Sequence, residues 1–375
     1  MRISFVVGAL LAALPVLPAV AEVNAGLDKP NPVKPFVATA VATFDTPWAI
    51  AFLPDGRMLV TEKPGALFLV TQKGAKAQVM GVPKVAYDGQ NGLLDVAVGP
   101  QFATDRGIYL SYTESGPGGS SLVLAHATLS SVGAGGRLVG LKVIWRQSPK
   151  GQGGQPGGII AFAPDGRHLF LTSGDRMRKM PAQDPDQALG KVLRLNLDGS
   201  TPTDNPTAKA GGVRAQTWTT GHRNPYGLAF APDGRLWEIE MGPKGGDELN
   251  LLKPGRNYGW PVVSNGINYD GTPIPAHDTR PEFEKPVVYW TPVIAAAGLA
   301  FYDGALFPAW RGSAFTGGLR AEVLVRLAFN GKGGANEVER WDMGHRIRDV
   351  AVAPDGALWL IEDEENGRLL RLTPS

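Results

Sequence analysis

One short turn, repeated along the chain, constrains its fold more than any other feature. It is Pro-Asp-Gly set between two runs of alternating apolar residues. It occurs at Pro54-Asp55-Gly56 within 49–60, at Pro164-Asp165-Gly166 within 159–172, at Pro232-Asp233-Gly234 within 228–239, and at Pro354-Asp355-Gly356 within 350–361. Two degenerate copies carry Gly99-Pro100 within 94–112 and Tyr302-Asp303-Gly304 within 298–307. Proline presets φ at the first turn position, aspartate bonds the backbone that follows, and glycine takes the left-handed conformation that closes a hairpin. The flanks alternate with period two, as strands with one buried face do. Copies spaced roughly 45–70 residues apart predict an all-β, six-bladed β-propeller with insertions gathered on one rim. A β-sandwich with repeated turn chemistry is the competing architecture, because one such turn is an ordinary hairpin signal.

Abundant glycine (49) and proline (31), with only 19% charged residues, agree with many turns and short strands. The final run, Gly367-Arg368-Leu369-Leu370-Arg371-Leu372, is expected to share a blade with the early strand 37–44. Such a pairing of chain ends would close the ring and remove its open edge. Residues 22–36, with three prolines, read as a leader strap, and 37–375 as one propeller domain without a linker.

The first 21 residues read differently. Arg2, an apolar run to Leu14 and the small residues Ala19-Val20-Ala21 form a secretory signal peptide cut before Glu22. The run is too short to span a bilayer and is broken by Pro15 and Pro18. In a bacterium this predicts a periplasmic protein with no membrane span. The absence of cysteine excludes disulfides, thiolate catalysis and cysteine metal sites. With 37 basic and 35 acidic residues, the charge balance gives no reason to expect nucleic acid or an anionic membrane as partner. Any anion site must come from a local gathering of arginines.

Such a gathering is visible. Arg223 lies in the polar stretch Gly221-His222-Arg223-Asn224-Pro225-Tyr226-Gly227, and Arg320 follows Gly317-Gly318-Leu319. Arg346 and Arg348 flank Ile347, so an extended backbone puts both guanidiniums on one side. They repel unless an anion or carboxylate lies between them, and a tricarboxylate or phosphate ligand would suit them. A solvated strand edge is the other reading. The run Gly242-Pro243-Lys244-Gly245-Gly246-Asp247-Glu248 is an oxygen-rich turn whose carbonyls and carboxylates could complete a calcium shell, or simply an acidic turn. Among the histidines no pair has zinc spacing, and His222 and His345 stand beside the arginines as supporting groups. No serine occupies a nucleophile elbow.

These stretches, with Gly89-Gln90-Asn91-Gly92-Leu93-Leu94-Asp95, Gly190-Lys191-Val192-Leu193-Arg194-Leu195, Asn257-Tyr258-Gly259-Trp260-Pro261 and Arg346-Ile347-Arg348-Asp349-Val350, resemble a known family. It comprises soluble quinoprotein glucose dehydrogenase, aldose sugar dehydrogenase and sorbosone dehydrogenase, six-bladed propellers that use pyrroloquinoline quinone (PQQ) and calcium. The resemblance runs over about residues 44–372. It implies that Gln90, Arg223, Asn224, Arg320, Arg346 and Arg348 contact PQQ. Position 320 is often lysine in the family, and arginine keeps the charge while changing its geometry. Gly242 and Pro243 would offer carbonyls to the cofactor's calcium, and Glu248 and Tyr258 would serve a second, structural calcium. The implied reaction is oxidation of an aldose, with an unidentified acceptor taking the electrons.

One departure bears on the chemistry. The family carries a His-x-Gly-Gly-Arg motif whose histidine takes the proton from the sugar's anomeric hydroxyl. Here the corresponding run is Gln155-Pro156-Gly157-Gly158-Ile159. A glutamine amide hydrogen-bonds but does not accept a proton near neutral pH. Asp175, in Thr172-Ser173-Gly174-Asp175, matches the carboxylate that orients the family's histidine and is the nearest substitute base. Two alternatives follow: a propeller that binds PQQ or another polyanion with little or no turnover, and a calcium-dependent lactonase on the same architecture.

Overall fold

The computed structural model describes residues 22–375; the leader 1–21 lies outside the described residues. The chain is almost all-β. Among the described residues the longest helix, Gly212–Gln216, has five residues, and no helix is long and apolar enough to cross a membrane.

Strands follow one another in four-stranded antiparallel sets. The first runs Pro47–Phe52, Met58–Glu62, Ala66–Val70 and Lys76–Met80, and the second Leu93–Val98, Gly107–Gly116, Gly119–Val132 and Gly135–Arg146. Their outer strands pair in parallel, merging the two sets into one eight-stranded sheet. A third set holds Gly157–Phe162, His168–Ser173, Lys191–Asn196 and Thr217–Thr220. Pro225–Phe230, Leu236–Glu240, Asp247–Leu251 and Val288–Trp290 make the next, to which Val23–Asn24 adds a parallel edge strand. Ala296–Phe301, Ala314–Gly318, Val323–Phe329 and Ala335–Asp342 follow. In the last set Ile347–Val352, Leu358–Glu362 and Gly367–Pro374 are completed by Phe36–Phe44, so the expected pairing of the two chain ends is present. The first strands of successive sets touch in order, and Ile347–Val352 returns to touch Pro47–Phe52.

The repeated turn sits where its chemistry requires, between the first and second strands of four of these sets. Asp55, Asp165, Asp233 and Asp355 each accept from the backbone N–H two residues on, at 2.9–3.1 Å. The following glycines have φ of 65–85°. Opposite that turn, every first–second strand pair carries a register shift. A bulge leaves backbone groups unpaired, and buried ones need partners. The partners come from the neighbouring set. Asp95 Oδ2 accepts from Ile160 N at 2.7 Å, and Asp349 Oδ2 from Ile50 N at 2.9 Å. Asp247 Oδ2 accepts from Ile294 N and Ala295 N. Between sets lies the hydrophobic core, with Trp237, Trp290, Trp341 and Trp359 wholly buried.

Candidate functional site

The inserts Met241–Asp247 and 261–284, together with the turns before the first strands, enclose a cleft of about 740 Å³. Seven of the residues singled out from the sequence line it: Gln90, Gln155, Arg223, Asn224, Gly242, Pro243 and Arg320. They come from five separate stretches of chain, which is why no single stretch spelled out the site.

Arg223 organises the cleft. Its turn begins at Gly221 (φ 80°), where a Cβ would collide with Asn257 Oδ1, so glycine is required there. Its backbone N–H donates to Glu240 Oε2 at 2.5 Å. Its guanidinium donates to the carbonyls of Met241 (2.9 Å) and Gly242 (2.7 Å) and to the Tyr269 hydroxyl (3.2 Å), and it stands over the Trp260 ring. Asn224 is buried, with a side-chain oxygen that has no partner in the protein. Arg320 is exposed on the cleft wall.

Gln155 has φ 55° and is only 5% exposed. Its N–H donates to Gln90 Oε1 at 2.6 Å. In the amide orientation that satisfies its neighbours, its nitrogen donates to Asp175 Oδ1 (2.5 Å) and its oxygen accepts from Arg223 Nη2 (2.7 Å). Asp175 is fully buried and also accepts from Trp260 Nε1 (2.7 Å), Met177 N (2.8 Å) and Lys179 N (3.2 Å). Burial raises its pKa, against the pull of Trp260 and Arg223. Every donor aimed at Asp175 favours a carboxylate that is held still.

Arg346 and Arg348 do lie on one side of the chain, but they do not line the cleft. A carboxylate sits between them: Asp363 Oδ2 is 2.7 Å from Arg346 and 2.8 Å from Arg348. Burial opposes ionisation of Asp363, but Arg348, Arg346 and Lys63 outweigh it and hold its pKa well below the usual carboxylate range. Arg348 is buried over the Tyr226 ring and lines a central void of about 280 Å³ formed by the first strands.

The calcium expectations fall at two places. The Gly242 carbonyl faces the cleft side of Arg223 and accepts from it, while Gly242 N donates to Asp247 at 2.9 Å. Asp247 is pushed up to about 7 by burial, opposed by backbone donors from Gly242, Ala295 and Ile294. Glu248 and Tyr258 meet at a separate small void of about 10 Å³, room for a single water or ion. Glu248 Oε1 lies 3.2 Å from His277 Nε2, and the Tyr258 hydroxyl donates to Leu251 O and accepts from Lys253 N.

Sequence reasoning missed several supporting groups. Tyr269 and Trp260 both contact Arg223. Gln183 donates to the Trp260 carbonyl at 2.7 Å. Lys191, wholly buried, donates to the carbonyls of Pro181, Ala182 and Leu189. Its only sequence signal was membership of the Gly190–Leu195 motif.

Comparison with known proteins follows this geometry. The family model described as glucose / sorbosone dehydrogenase matches residues 44–371. Aldose sugar dehydrogenase of Escherichia coli is 40% identical over 340 residues, covering 88% of this chain and 90% of that protein. A crystal structure of a glucose dehydrogenase is 43% identical with a TM-score of 0.86, covering 90% of this chain and 100% of its own. The PQQ-bound aldose sugar dehydrogenase from Streptomyces coelicolor is 28% identical with a TM-score of 0.73, over 91% and 98% of the two chains.

Proposed function

The chain belongs to the glucose/sorbosone dehydrogenase family, and we propose that it is a PQQ- and calcium-dependent dehydrogenase that oxidises an aldose or related sugar at the anomeric carbon. The successive four-stranded sets are read as six propeller blades within residues 37–375, with 22–36 as a strap and 1–21 as the export signal for the periplasm.

One observation carries the reading. A single guanidinium, that of Arg223, is bonded at once to the Gly242 carbonyl and to the Gln155 amide in the orientation that satisfies its neighbours. The proposed cation position, the anion position and the position of the missing base therefore share one cleft. The lining fits a planar polyanion: Arg223 and Arg320 supply charge and Gln90 an amide N–H, while the unpartnered Asn224 oxygen can accept from an N–H or hydroxyl of the ligand. Those four residues would hold PQQ, and Gly242 and Pro243 would hold the calcium. When bound, the pair would supply an electrophile that accepts a hydride, one proton with two electrons, from the sugar.

The protein's own residues orient the sugar and handle its proton. Gln155 can hydrogen-bond the anomeric hydroxyl but cannot take its proton. Asp175 is the nearest carboxylate, buried behind Gln155, and would reach the sugar only if that amide moved aside. Loss of a general base typically lowers rate by about 10²–10⁴-fold, so slow turnover is expected. Dye reduction by the purified protein with calcium, PQQ and a sugar panel tests the proposal; no turnover with any sugar would sink it.

The geometry around Gln155 also favours a second reading, cofactor binding without turnover. Its amide nitrogen is bonded to Asp175 and its oxygen to Arg223, and neither atom is a base. Calcium-dependent PQQ binding without dye reduction would select it.

A further inference from the structure

Behind the Arg223 turn, Glu238, Glu240 and Glu248 are packed with His222, His277 and Asn250 in the interior of one sheet. Among the described residues none of these carboxylates makes an ion pair with a lysine or arginine. Of these, Glu238 and Glu240 share the single imidazole of His222, which offsets at most one of their two charges and only when protonated. An uncompensated buried carboxylate is costly, so a proton or a cation is required.

The geometry favours a cation. His222 Nδ1 lies 3.0 Å from Glu240 Oε1 and 3.8 Å from Glu238 Oε2, and one ligand atom from each of the three residues falls within 4.8 Å of the others. Donors around an ion with bonds of about 2.0–2.2 Å stand at such separations. Two buried atoms also have no partner in the protein: Glu238 Oε1, and Oδ1 of Asn250, whose Nδ2 donates to Glu238 at 3.1 Å. The other ring nitrogen of His222, Nε2, is 2.9 Å from Thr219 Oγ1, the kind of outer contact that fixes a metal-binding imidazole. Tyr258 stacks on the ring at 5.0 Å and closes the position to solvent.

We propose that His222, Glu238 and Glu240 hold a buried structural divalent ion of the zinc or manganese class. Its ligands differ from those of the calcium positions expected at Gly242–Pro243 and at Glu248–Tyr258, although Glu240 borders the same small void as Glu248 and Tyr258. The imidazole donor sets the class, because calcium takes oxygen ligands. Glu240 gives the ion a purpose. While Oε1 faces His222, Oε2 accepts from Arg223 N and Asn224 N, so an ion here fixes the backbone that presents both residues to the cleft.

The proposal does not rest on dehydrogenase activity, and its test reads metal alone. Full-length mature protein is stripped with chelator, then dialysed against Zn²⁺ or Mn²⁺ in the presence of excess Ca²⁺. Expected are one tightly held transition-metal equivalent by elemental analysis and an X-ray absorption spectrum with one imidazole nitrogen and carboxylate oxygens. Glu238→Gln should weaken that binding at least about 10–100-fold, the loss usual even for outer-shell partners. Absence of a bound equivalent in the wild type, a spectrum without imidazole, or undiminished affinity in Glu238→Gln would each overturn the site. Should Glu238→Gln fail to fold, the wild-type stoichiometry and spectrum still decide.

Discussion

Gln155 and Asp175 form a hydrogen-bonded pair: the glutamine amide nitrogen sits 2.5 Å from Asp175 Oδ1, in the orientation that also satisfies Arg223. On the proposed function, a neutral amide fills the position from which a base would face the sugar. The carboxylate behind it is ready to orient an imidazole.

Substituting Gln155→His should therefore create a base already oriented by Asp175. The expected outcome is a rise in kcat for sugar-dependent dye reduction of about 10²–10⁴-fold, with a new ionisation near the histidine range in the pH–rate profile. An unchanged kcat with a folded, PQQ-loaded variant would show that the missing base is not what limits the wild type.

Lys191 offers a test through pH. Burial pulls its pKa down from 10.5 to about 7. The unfolded chain keeps that proton up to about pH 10.5 while the folded protein releases it near 7, so this group's contribution to stability rises with pH across that window. Lys191→Met removes the effect and leaves the Leu189 carbonyl without its donor, at a cost of about 1–3 kcal/mol, while the Pro181 and Ala182 carbonyls keep the backbone N–H groups of Asp184 and Gly221. Its destabilisation, measured by urea unfolding, should be larger at pH 9 than at pH 7. Equal costs at the two pH values would mean that the ammonium stays charged in its carbonyl cage. The Pro181 and Ala182 carbonyls that it holds belong to the short helix carrying Gln183, which anchors Trp260 and hence Asp175.

The contrast between Asp55 and Glu238 explains what sequence could and could not disclose. Turn chemistry is local, so Pro-Asp-Gly located the first hairpin of four sets and its bonding pattern. Burial is not local. Glu238 and Glu240 alternate with apolar residues in Leu236–Glu240, a pattern that normally marks a solvated face. They are buried because the insert that follows, carrying Tyr258 and His277, folds back over them. The Arg346–Arg348 pair lies between these cases. Its same-side geometry followed from strand alternation, whereas the choice of Asp363 as partner depended on the register of the last hairpin.

That pair makes a stability prediction. Asp363→Asn leaves two guanidiniums facing each other, one of them buried, and breaking a buried pair costs about 3–5 kcal/mol. Because its folded pKa lies below the ordinary carboxylate value, the stability Asp363 confers is present above that value and lost as pH falls through its folded pKa. The wild type should lose its advantage over Asp363→Asn on acidification, followed by thermal unfolding from pH 7 downward. A constant difference across that range would place the stabilisation in packing and not in charge.

Arg223→Lys separates charge from geometry in the cleft. The guanidinium reaches the Met241 and Gly242 carbonyls, the Tyr269 hydroxyl and the Gln155 amide from one rigid plane. An ammonium keeps the charge but cannot span those acceptors. The backbone of residue 223 is held independently by Glu240, so the turn itself should survive the exchange. Bonds from a charged donor contribute about 1.5–3 kcal/mol each, and losing even one corresponds to roughly tenfold or more in affinity. Calorimetric titration with PQQ in calcium should therefore show affinity at least about tenfold weaker for Arg223→Lys, beside a lower Tm in the absence of cofactor from the lost bonds to Met241 and Gly242. If affinity holds while Tm falls, Arg223 serves the fold of the Met241–Asp247 loop and the anion is bound elsewhere.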